Sequence, residues 1–161
     1  MISPSLLPEF DNEMGTTRKF LDRFPDARAG YKPHEKSMTA AQLATHIAEM
    51  AGWVMPTVQQ DFIDIASYQP NIRQGRAELL ALFDQNVVAA RAALEQVEDS
   101  EWSRPWSLKM GEHTAFTLPK IAVMRTMIMN HIIHHRAQLG VYYRMLGVPV
   151  PSTYGPSADE R

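Results

Sequence analysis

The chain has 161 residues, 45% of them hydrophobic and 21% charged, a balance that suits one globular domain over 1–161 and is too short for two comfortable cores. Its formal net charge of −2, from 16 basic and 18 acidic residues without long runs of one sign, lacks the basic surplus with which nucleic-acid binders displace phosphate counterions. Cysteine is absent, which excludes disulfides, thiolate metal ligands and a cysteine nucleophile together.

The first residues, Met1 to Pro8, carry no basic start followed by an apolar stretch, so no signal peptide is expected. The most apolar stretch, Ile121 to Ile133, is interrupted by Arg125, Asn130 and His131 and is too short to span a membrane. A cytoplasmic location follows as the default expectation.

Four helices are predicted. In the first, Ser5 to Phe24, the residues Leu6, Phe10, Met14, Thr17, Leu21 and Phe24 recur at three- and four-residue steps and share one face. Pro4 and Pro8 fall near its start, where first-turn amides lack intrahelical partners, and Pro25 ends it. The second opens at Thr39-Ala-Ala-Gln42, a capping-box spacing, and sets Leu43, His46, Met50 and Trp53 on a common face. After Pro56, the residues Val58, Phe62 and Ile65 suggest a shorter helical piece. The third helix is predicted to open at Asn71 and to turn Leu79, Phe83, Val87, Ala90, Leu94 and Val97 inward.

Between Asp99 and Leu118 the pattern changes to a loop, with a short hairpin pairing Trp106–Leu108 with Thr114–Phe116 around Met110-Gly111. Structured connections of this length often border functional sites. The fourth helix starts near Pro119 and ends before Gly147, leaving a polar tail over 152–161. The expected fold class is an all-α four-helix bundle with long connections.

The histidines carry the chemistry. His131 and His135 are four apart on the fourth helix and so differ by only about 40° in direction, in the wedge that also holds Met124, Ile128, Gln138 and Tyr142. Two polar rings on an apolar seam need partners. A divalent ion shared with His46, inward on the second helix, supplies one. Three nitrogens suit zinc, nickel or iron alike, and leave positions open for water or substrate. His46 taken alone reads more simply as a hydrogen-bonded core residue, and the His131/His135 spacing alone is a moderate signal. The conjunction is stronger than either part and leaves the ion and the core reading evenly matched. His134 points about 60° aside, and His34 and His113 sit in loops. Glu49, one turn from His46, is a candidate base or orienting group, with a solvated carboxylate as the plainer reading. Gln138 is a candidate to orient a ring or a water. Arg136 reads as a surface residue or an acid's partner, and Tyr142 as pocket lining or core.

These motifs resemble the DinB-like (damage-inducible, YfiT-related) superfamily of metalloproteins. The resemblance runs through Tyr31-Lys-Pro-His-Glu-Lys-Ser-Met38, Leu43-Ala-Thr-His46-Ile-Ala-Glu49 and Asn130-His-Ile-Ile-His-His-Arg-Ala-Gln-Leu139. It closes with Leu146-Gly-Val-Pro-Val-Pro151 and Tyr154-Gly-Pro-Ser-Ala-Asp-Glu160. It implies a DinB/YfiT-like four-helix bundle with crossovers, often a homodimer, and a metal on the residues matching His46, His131 and His135. Some relatives use the metal to activate a low-molecular-weight thiol. The expected function is thus a metal-dependent enzyme acting on a small molecule, as a small-thiol transferase or a hydrolase. The alternative is a non-catalytic, stress-associated metal-binding or interaction protein whose metal is structural.

Overall fold

In the computed structural model, which describes residues 2–160, the first helix α1 spans Ser3–Asp22. Its predicted stripe is buried, from Leu6 through Phe10, Met14 and Thr17 to Leu21, and Phe24 is buried just beyond its end. Helix α2 (Ala40–Met50) starts at the expected capping box: the Thr39 hydroxyl accepts from the Gln42 N–H at 3.1 Å, and the Thr39 N–H donates to Gln42 Oε1 at 2.8 Å. A 3-10 turn, Ala51–Trp53, carries the chain into α3 (Val54–Gln59).

Helix α4 spans Arg76–Gln96, later than the Asn71 start predicted for it. The signal missed was tertiary. Gly75 precedes the helix without a side-chain cap, and the Arg76 N–H donates instead to Asp26, fifty residues away in sequence, at 2.7 Å. The last helical stretch runs from α5 (Lys120–Val123) through a π-helical turn (Met124–Met129) into α6 (Asn130–Leu146), and stops at Gly147, whose φ of 69° is the left-handed cap expected there.

Helix α1 packs mainly on α4 and α6, and α2 packs on the same two. The order around the bundle is therefore α1, α4, α2, α6, with α1 and α2 on one diagonal and α4 and α6 on the other. The α1–α2 and α4–α6 connections thus cross the bundle and must be long, whereas α2 and α4 are neighbours. Leu21, Leu43, Ile47, Leu79, Phe83, Ile132 and Leu139 meet in the core. Among the described residues no helix is long and apolar enough to cross a membrane.

An all-α class is corrected by a three-stranded sheet, although the molecule is mostly helical. Strands β1 (Phe62–Asp64), β2 (Pro105–Met110) and β3 (His113–Pro119) lie in that order, β1 parallel to β2 and β2 antiparallel to β3. The predicted hairpin forms, with Leu108 opposite Phe116 and a turn at Gly111, φ 63°. A register shift between Leu108 and Lys109 brings Trp106 opposite Leu118. The helical piece expected around Phe62 and Ile65 is instead β1 and its exit. Spacing of three to four over so short a run is ambiguous, and pairing with β2 decides the backbone.

The described part of the polar tail returns onto the bundle; Arg161 lies outside the described residues. Glu160 pairs with Arg23 at 2.6 Å and Asp159 with Arg144 at 2.7 Å. Beneath the tail, Arg136 is buried and bonded to the buried Glu13 at 2.8 Å, and Tyr154 donates to the same carboxylate at 2.9 Å. Of the two readings of Arg136, partnership with an acid is the correct one.

Candidate metal centre

Three rings converge where α2 faces α6. His46 comes from α2, and His131 and His135, one turn apart, from α6. Ring centroids lie 5.2 Å apart for His46 and His131, 4.9 Å for His46 and His135, and 4.6 Å for His131 and His135. One nitrogen of each ring falls within 4.8 Å of the other two, so the three could hold a metal ion.

The hydrogen bonds around the rings argue for a cation. His135 Nδ1 is 2.7 Å from Gln138 Oε1, and His131 Nδ1 is 3.3 Å from the Met127 carbonyl oxygen. Both partners accept, so both Nδ1 atoms carry the proton, and the lone pairs remain on Nε2. Those two Nε2 atoms face each other at 2.8 Å. Two lone pairs cannot satisfy one another. A second proton on either ring would resolve the conflict, but burial holds both rings below the ordinary imidazole pKa. A shared metal ion resolves it without a proton. His46, edge-on to Trp53, makes no hydrogen bond among the described residues, which leaves its ring nitrogens available.

Burial, followed by the neighbouring His135 and His131, pushes His46 down to about 4 from 6.5. Neutral imidazole is the ligating form, so the triad is ready for metal at neutral pH. Between 6.5 and about 4 the unfolded chain holds a proton on His46 that the folded, metal-free chain does not. This contribution to stability is complete above 6.5 and declines as pH falls toward 4. In chelator-treated protein, His46→Phe should flatten the fall in melting temperature across that window; an unchanged slope would contradict the assignment.

The other candidates fall into place around the triad. Gln138 is within hydrogen-bond reach of the His135 ring. Glu49 does not reach the rings; it accepts a hydrogen bond from Tyr68, in a cleft that also contains His46. Tyr142 donates to the Met38 carbonyl at 3.1 Å and lines a cleft with His135, Gln138, Lys36 and Ser37. His134, His34 and His113 are exposed and lie outside the cluster. Sequence reasoning missed the Met127 carbonyl, set by the π-helical turn one residue before α6, and such turns recur at functional sites. It also missed Tyr68, for which no sequence signal existed.

A cavity of about 340 Å³ opens beside His46 and His131, walled by Trp53 and by Trp106, Leu108 and Phe116 of the sheet. Separate clefts therefore reach different rings of one cluster.

Among solved structures, a DinB-like protein from Bacillus subtilis is 21% identical, with a TM-score of 0.69 over 98% of this chain and 99% of its own. A DinB-like protein from Bacillus cereus is 20% identical, with a TM-score of 0.73 over 92% of this chain and 95% of its own. At such identities the likeness shows a shared fold. No curated protein matches significantly. The sequence model of the DinB family matches residues 3–161, and the chain belongs to the DinB family.

Proposed function

We propose that the protein is a metal-dependent enzyme acting on a small molecule, with one divalent ion held by His46, His131 and His135. The observation that carries this reading is the pair of facing Nε2 atoms on rings whose Nδ1 protons are already engaged, beside an open cavity. Bound there, a divalent ion would supply a Lewis acid able to lower the pKa of a water or a small thiol.

The chain's own residues prepare that site. Gln138 and the Met127 carbonyl fix the tautomer and direction of two rings. Burial and the adjacent Glu49 raise the Tyr68 pKa, so Tyr68 keeps its proton and acts as a donor. Glu49 does not reach the rings but shares a cleft with His46, and is the acceptor for a proton relayed out of the site through water. Access from a cavity on the His46 and His131 side and from a more polar cleft on the His135 side suits two reactants, and favours thiol transfer over hydrolysis.

The test is a screen of metal-reconstituted protein with low-molecular-weight thiols and electrophiles, and with esters and amides in parallel. Thiol-dependent turnover should appear, and should vanish with chelator and in His131→Ala. A fully metal-loaded protein without turnover in either screen would support a structural metal instead.

A further inference from the structure

The sheet places three apolar side chains in one transverse row. Ile63 is paired with Leu108 across the parallel ladder, and Leu108 with Phe116 across the antiparallel one, so the three share a face. All three line the cavity beside His46 and His131. Trp106, two residues before Leu108, joins that face and is fixed by its indole N–H, which donates to the Pro56 carbonyl at 3.1 Å. On the other face the Ser107 and Thr117 hydroxyls bond each other at 2.8 Å.

The apolar face of such a sheet ordinarily lies on a core. Here Ile63, Leu108 and Phe116 stay only half-buried, because they border open space. Among the described residues no Asp, Glu, Lys or Arg lines that cavity. Its hydroxyls are already engaged: Thr57 donates to the Trp53 carbonyl and Tyr68 to Glu49. A charged group entering it would lose hydration without replacement, whereas an apolar one gains by leaving water.

We infer that this sheet face is the specificity wall of the site, and that the substrate's body is an uncharged apolar group, an aromatic ring or short alkyl chain. The substrate's head, which alone reaches the imidazoles, rests on the metal-centre reading; the body does not. Leu108, in the middle of the row, sets the depth available.

Two titrations separate these claims. Metal-free protein is titrated with N-phenyl-1-naphthylamine, an uncharged fluorophore. Saturable enhancement is expected, with affinity at least tenfold weaker in Leu108→Glu. Zinc-loaded protein is then titrated calorimetrically with straight-chain thiols of two to six carbons. Affinity should rise about fourfold per methylene. Leu108→Trp, apolar and compatible with a strand, should leave the shortest thiol unchanged and truncate the rise. Melting curves confirm that both variants fold. No fluorophore binding, a flat thiol series, or a series that Leu108→Trp leaves intact would overturn the wall. Retained, Leu108-dependent fluorophore binding with loss of every thiol supports the wall and places the failure at the metal centre.

Discussion

His135→Ala is expected to abolish stoichiometric metal binding. Structural zinc sites of four ligands are worth about 10–16 kcal/mol, so about 2.5–4 kcal/mol per ligand, a loss of roughly 70- to 900-fold. His135 is the most buried of the three rings, at 7% exposure, and the only one bonded to a side chain that orients it. His46→Ala and His131→Ala should match it. Gln138→Leu removes the orienting acceptor and keeps the ligand, so it should weaken binding about 10- to 100-fold without abolishing it. His34→Ala should have no effect, since that ring is exposed and its Nδ1 accepts only from the Lys36 N–H at 3.2 Å. Calorimetric titration with zinc reads the whole series. Equal losses in all five variants would undo the residue assignment.

The second large effect is on stability. Arg136 and Glu13 are both almost fully buried, with side-chain exposures of 2% and 7%. Arg136 also donates to the Glu13 carbonyl at 3.1 Å and to the Thr17 hydroxyl at 3.2 Å. Arg136→Met leaves the carboxylate buried with Tyr154 as its remaining partner. Breaking a buried pair from one side costs about 3–5 kcal/mol, which for a chain of this size lowers the melting temperature by about 10 °C. Adding Glu13→Leu removes the stranded charge and should restore much of that loss. If Arg136→Met melts like the wild type, the buried pair contributes nothing, and the tail's attachment needs another explanation.

Helices with long, regular stripes were legible in the sequence. Leu6, Phe10, Met14 and Leu21 repeat at the helical period, and all are buried on α1. The capping box at Thr39 and the left-handed cap at Gly147 are local signals, and both formed as read. Where a partner distant in sequence decides the outcome, the reading failed. The start of α4 depends on Asp26, and β1 is a strand because β2 lies beside it. At the site, the i,i+4 spacing of His131 and His135 placed two rings together, and the inward face of α2 supplied His46. The tautomers could not be read, because they rest on a backbone carbonyl and a side-chain amide whose positions only the fold provides. The wall of the cavity was hidden for the same reason: its row of side chains comes from three separate strands.

Crystals of the metal-reconstituted protein, measured with X-rays just above and just below the absorption edge of the added metal, probe the shared cation directly. A single anomalous peak per chain is expected, bonded to one nitrogen each of His46, His131 and His135. A protein that takes up no metal, or a peak elsewhere with the three imidazoles joined only to protein groups, would contradict that assignment.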